Sequence, residues 1–162
     1  MKELKARCTG FAAVEQKLRK MEANLVGEDK ETANYFETEG RGALRITQGE
    51  KGSSLGLAAY NQETGCFDII SSEVRDANSA RRLFSKLFSS IAQVKLEKKV
   101  YMVGEFEVWL VHIDQLGNFV LIRSESATET KFHDLLGKLG IEPDRVVEKD
   151  FGQLLTQSEE RL

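Results

Sequence analysis

Lys2-Glu3-Leu4-Lys5-Ala6-Arg7-Cys8 alternates without a break: Leu4, Ala6 and Cys8 fall on one side of an extended chain, Glu3, Lys5 and Arg7 on the other. Period-two alternation of this kind is the pattern of a strand whose two faces meet different surroundings. If the apolar side packs outward on helices, the charged side faces inward. An inward charged face is tolerable only where the interior is wet, internally paired or occupied by a charged ligand.

The rest of the chain supplies the helices and the other strands. The residues Phe11, Val14, Leu18, Met21 and Leu25 recur at helical spacing and predict an amphipathic helix from Phe11 to Leu25, with Gly27 as its stop. Strands are predicted around Ala33 to Glu37, Ala43 to Thr47, Ser54 to Asn61 and Cys66 to Ser71, separated by glycine-bearing turns. A second helix starts at an Asp76 cap and carries Ala80, Leu83, Phe84, Leu87, Phe88 and Ile91 on one face. Strands near Val94 to Val103, Phe106 to Ile113 and Phe119 to Glu125 lead into a third helix. It opens on the capping-box signal Ser126-Ala127-Thr128-Glu129, buries Phe132, Leu135, Leu136 and Leu139, and stops at Gly140. A short helix closes the chain. This order predicts an α+β fold in which a strongly curved or closed antiparallel sheet has helices packed outside.

The 162 residues are 41% hydrophobic, enough for one core, and no linker or low-complexity tract divides them, so a single domain over residues 1–162 is expected. The net charge of −3, with both signs mixed along the chain, offers no general attraction for nucleic acid or for an anionic membrane. The charged start lacks the apolar stretch of a signal peptide and no apolar run is long enough to span a bilayer, which predicts a cytoplasmic protein. Cys8 and Cys66 stand alone, outside any CxxC or Cys/His cluster, and are read as reduced structural thiols.

Three local patterns carry weaker chemistry. Gly52-Ser53-Ser54-Leu55-Gly56 matches the GxSxG of a hydrolase elbow, but that motif needs a strand, a sharp turn and a helix, whereas here it lies between two strands and reads as a glycine hairpin. His112 and His133, the only histidines, are too few for a multi-histidine metal site and lack an obvious carboxylate partner in sequence. Lys95, Lys98 and Lys99 are equally compatible with a phosphate contact and with a lysine-protected strand edge.

Three segments together resemble the CYTH superfamily, which contains class IV adenylyl cyclases, thiamine triphosphatases and inorganic triphosphatases. Glu3-Leu4-Lys5-Ala6-Arg7 is similar to its N-terminal ExExK strand, with Met1 in place of the first glutamate. Tyr101 to Phe106, followed by Leu116-Gly117-Asn118-Phe119, resembles its late hairpin, and Asp150-Phe151-Gly152-Gln153-Leu154-Leu155 its closing SYxxLL segment. The resemblance implies an eight-stranded antiparallel β-barrel, a tunnel, in which cations hold a triphosphate while acids at its ends hold magnesium or manganese.

Carried over by position, Glu3, Lys5, Arg45 and either Lys98 or Lys99 match that pattern. The acidic side departs from it: Met1, Val111 and Leu121 stand where the family has acids, and the lysine expected between Leu57 and Tyr60 is replaced by Ala58-Ala59. Alternation through the late hairpin turns Trp109, Val111 and Leu121 inward, together with a new cation, Arg123, expected to pair with Glu105 or Glu107. The resulting expectation is a divergent CYTH-like protein that binds a phosphorylated small molecule or nucleotide through Lys5, Arg7, Arg45, Lys98, Lys99 and Arg123, with weak or lost catalysis. If the chain is an active cyclase or organic triphosphate hydrolase, its metal falls to Glu3, Glu105, Glu107 and Glu125. A third reading is a non-catalytic interaction domain, a homodimer included, in which the interior charges satisfy one another.

Overall fold

A computed structural model describes residues 1–160. Eight strands are present: β1 Lys2–Cys8, β2 Asn24–Phe36, β3 Ala43–Gly49, β4 Gly52–Asn61, β5 Cys66–Glu73, β6 Ser90–Val103, β7 Phe106–Ile113 and β8 Gly117–Ser124. They close into an antiparallel barrel in the order β1-β5-β4-β3-β2-β6-β7-β8, and β8 returns to β1. Helices α1 (Ala12–Lys20), α2 (Ala77–Leu87), α3 (Glu129–Lys138) and α4 (Phe151–Glu160) complete the described chain, with a short 3-10 turn at Pro143–Arg145. The α+β barrel with external helices is therefore the fold. No helix among the described residues is long and apolar enough to cross a membrane.

The alternation in β1 sets the layering. Leu4 and Ala6 join Val14 and Leu18 of α1, Phe132, Leu135 and Leu136 of α3, and the outward residues Val108, Leu110, Val120 and Ile122 in the principal outer core. The inward register continues around the barrel, because Glu3 faces Arg123 and Lys5 faces Leu121 across the β1–β8 ladder. Inside, Ala33, Tyr35, Val94, Val111, Phe119 and Leu121 pack on Phe151, Leu154 and Leu155 of α4. On the opposite outer side, Phe36 and Ile46 receive Ala77, Ala80, Phe84 and Phe88.

Several boundaries differ from the sequence reading. The first helix stops at Lys20, not Leu25, because Glu22 takes a left-handed backbone (φ 57) and the chain re-enters the sheet at Asn24. The strand expected at Ala33 therefore starts nine residues earlier. Gly27 is not a helix stop; it follows a bulge at Val26 in the β2–β6 ladder. Asp76 does cap α2, its Oδ1 accepting from the Ser79 N–H at 3.0 Å. That helix ends at Leu87, Ile91 belongs to β6, and Leu83 and Leu87 are exposed rather than packed. The capping box at Ser126 does not form: Thr128 is the N-cap of α3, and Ser124 Oγ instead accepts from the N–H groups of Ser126 and Ala127. Gly140 does end that helix, in the left-handed region at φ 76.

Candidate functional site in the barrel interior

Inward alternation on six strands brings one set of side chains together. Glu3, Glu31, Arg45, Lys98, Trp109 and Arg123 help to line an internal cavity of about 120 Å³. Each comes from a strand position that the pleat turns inward, so the cluster follows from register rather than from any local motif.

Two ion pairs organise it. Glu3 and Arg123 are directly opposite on β1 and β8; Arg123 Nε lies 3.2 Å from Glu3 Oε2, and the side chains are 3% and 10% exposed. Lys98 pairs with Glu31, its diagonal neighbour across the β2–β6 ladder. Both cations also lie over the Trp109 ring, Lys98 Nζ at 3.9 Å and Arg123 Cζ at 4.2 Å from its centroid. They reach it from β6 and β8, the strands that flank β7. Such cation–π contacts strengthen where water is excluded. Arg45 sits opposite Tyr35 on the β2–β3 ladder, and burial pushes the Tyr35 phenol up to about 12.

Three atoms of this region are buried without a hydrogen-bond partner among the described residues, Glu31 Oε1, Trp109 Nε1 and Arg123 Nε; a fourth, Asn34 Nδ2, is on the outward side of β2. Arg123 Nε is close to Glu3, but out of line for a hydrogen bond, and Glu31 Oε1 likewise has only its ionic contact with Lys98.

The other expected cations are placed differently. Lys5 is 1% exposed and does not line the cavity; its Nζ lies over the rings of Phe67 (4.5 Å) and Phe151 (4.2 Å) and donates to the Lys149 carbonyl at 3.2 Å. Burial lowers its pKa to about 8, with the Glu3 charge opposing that shift. Arg7 packs on Phe119 and reaches the Leu116 carbonyl. Lys99 is on the outer side of β6, 3.7 Å from Glu15 and 4.0 Å from Glu28, away from the cluster.

The four acids proposed for a metal do not converge. Glu3 is paired to Arg123; Glu107 stands opposite Arg123 on the β7–β8 ladder; Glu105 holds Lys131 at 3.2 Å outside the barrel; Glu125 holds the N-terminal amine at 3.1 Å. Among the described residues, no three His, Cys, Asp or Glu side chains could share a metal ion. His112 does have a carboxylate neighbour, Asp114, 3.1 Å from Nε2, while Asn118 lies 2.7 Å from Nδ1, in a half-exposed turn outside the tunnel.

Sequence reading missed Glu31, Tyr35 and Phe151 as parts of the site. Glu31-Ala33-Tyr35 did carry the inward alternation, but the strand had been started only at Ala33.

A closed eight-stranded antiparallel tunnel with a charged interior defines the class. The fold is CYTH-like: the PH1012 protein of Pyrococcus horikoshii aligns with a TM-score of 0.85 at 22% identity, covering 96% of this chain and 99% of that one. A candidate adenylate cyclase of Vibrio parahaemolyticus aligns at 0.77 and 16% identity, covering 95% and 96%. A candidate adenylyl cyclase of Hippeastrum with a dominant triphosphatase activity aligns at 0.67 and 14%, covering 98% and 95%. No family model and no curated protein matches the sequence.

Proposed function

We propose that the barrel interior binds a phosphorylated small molecule or nucleotide and does not carry out efficient metal-dependent triphosphate chemistry. The observation that carries this reading is the cavity wall itself, where three cations, Arg45, Lys98 and Arg123, meet two carboxylates, Glu3 and Glu31. The surplus of one positive charge on a largely buried wall favours an anion. The cyclase and triphosphatase activities named for the similar folds make a phosphate-bearing ligand the natural candidate. Glu3 is held by Arg123 inside the barrel, which argues against its recruitment by a metal.

Calorimetric titration with AMP, ATP, tripolyphosphate and thiamine triphosphate, with and without magnesium or manganese, tests the reading. Binding of at least one without metal is expected, with phosphate and pyrophosphate release at the buffer level. Arg45→Gln should weaken binding about tenfold or more, the usual cost of losing a hydrogen bond or contact to a charged group. Absence of binding to any phosphate compound would remove the proposal and leave the interior charges as a purely structural network.

A further inference from the structure

The cavity has one enclosed end and one open one. Towards α4 it is bounded by Phe151. At the other side it adjoins an open cleft of about 570 Å³, whose walls include Thr47, Lys51, Ser53, Ser54, Glu73 and Arg75. Glu31 and Lys98 belong to both walls, so their ion pair stands between the inner cavity and the outer cleft.

We infer that the ligand is a phosphate monoester with a polar body: its single phosphate occupies the inner cavity, held by Arg45, Arg123 and the Trp109 indole N–H, and its body lies in the outer cleft. This deepens the reading above and rests on it. Size is the first argument. A cavity of about 120 Å³ is comparable to the one of roughly 150 Å³ that takes benzene, which suits one tetrahedral phosphate and not a chain of three. Charge is the second. A monoester carries about −1.5 to −2 at neutral pH and roughly matches a small positive surplus, whereas a triphosphate brings more than twice that charge.

The outer cleft gives nothing to further phosphates, because Asp29, Glu31 and Glu73 balance Lys51, Arg75 and Lys98 there. Its hydroxyls, Thr47, Ser53 and Ser54, suit a hydroxylated body such as a sugar. Donor supply is the third argument. Trp109 Nε1 is a buried donor with no hydrogen-bond partner among the described residues, and Arg123 Nε has only its out-of-line ionic contact with Glu3; an acceptor oxygen in the cavity relieves both.

The test is metal-free calorimetry with AMP, ribose 5-phosphate, orthophosphate, ATP and tripolyphosphate, with the emission of Trp109, the only tryptophan, followed in parallel. At least one monoester is expected to bind as tightly as ATP or more tightly, orthophosphate to bind more weakly than that monoester, and each to change the Trp109 emission. Trp109→Phe keeps the ring but removes the N–H and should weaken monoester binding about tenfold, with Arg45→Gln as a second variant of similar effect. ATP or tripolyphosphate binding tenfold tighter than both monoesters would overturn this inference while leaving anion binding intact. So would an unchanged affinity in a folded Trp109→Phe. Failure of every anion to bind would instead remove the underlying reading.

Discussion

Glu3 can be withdrawn from water only because Arg123 stands opposite it, and the reverse holds equally. Removing one member of a buried pair leaves the other uncompensated, which typically costs about 3–5 kcal/mol, whereas replacing both with apolar groups costs far less. Glu3→Gln should therefore lower the unfolding free energy by about 3 kcal/mol in urea titration, and Glu3→Leu with Arg123→Met by less than that single change. A smaller loss in the single variant would show that water reaches the pair. Lys5 makes a pH-dependent prediction. Its folded pKa of about 8 lies below the ordinary value of 10.5, so between these values the unfolded chain holds more of the Lys5 proton and this residue's contribution to stability rises with pH. Below pH 8 the cost of the buried ammonium is fully present. The gain from pH 8 to 10 should be about 2 kcal/mol relative to Lys5→Met, which lacks this rise. Cys66, pushed up to about 11 chiefly by burial, acts in the opposite direction from about pH 9, and Tyr35 and Tyr101, both pushed up to about 12 chiefly by burial, from about pH 10, so the rise is read as the difference from Lys5→Met. The inward placement of Glu3, Arg45 and Arg123 was legible from alternation and resemblance, whereas Lys5 faces in but lies outside the cavity wall. Lys99 was not separable from Lys98 by spacing, since only the strand's register decides which of two adjacent lysines faces in.

Among the elements, α4 and α3 offer a paired comparison. Gly152, in the first turn of α4, lies so close to Tyr35 that an added Cβ would come within 2.8 Å of Tyr35 Cγ and 3.0 Å of Tyr35 Cβ. Those atoms belong to a side chain that is 2% exposed and cannot swing away. Overpacking of this kind costs about 1–3 kcal/mol and outweighs the gain of up to about 1 kcal/mol from alanine's helix propensity. Gly137 in α3 has nothing within 4 Å of the same position. Gly152→Ala should thus lower the melting temperature and Gly137→Ala raise it; a rise in both would show that α4 is not seated on Tyr35. The helices were legible where capping and burial agreed, as at Asp76. They misled where apolar spacing ran on past the true end: Leu25 continues the pattern of α1 but lies in β2, half exposed. The left-handed turn at Glu22 has no glycine to announce it.

At the scale of the molecule, the barrel closes through β1 and β8, the first and last strands, so its interior and its helical coat are consequences of one ladder. Closure was anticipated from a charged inner face and a resemblance, because a strand pattern alone says how many strands exist and not which edges meet. The outer core ties α1 and α3 to β1, β7 and β8, and the inner core ties α4 to β7 and β8 through Val111, Phe119 and Leu121. Neither layer can be lost while the other persists. Urea unfolding followed by Trp109 emission, which reports the interior, and by far-ultraviolet circular dichroism, which reports helices and sheet, should therefore give coincident single transitions. A monoester that occupies the cavity must stabilise this whole unit. At a free concentration about a hundred times Kd the gain is about 2.7 kcal/mol, equivalent to roughly 5–10 °C in melting temperature for a chain of this size. Both probes should shift together. A shift of the Trp109 transition alone would mean that the interior opens apart from its coat, and that the ligand site is held by fewer strands than the closed ladder implies.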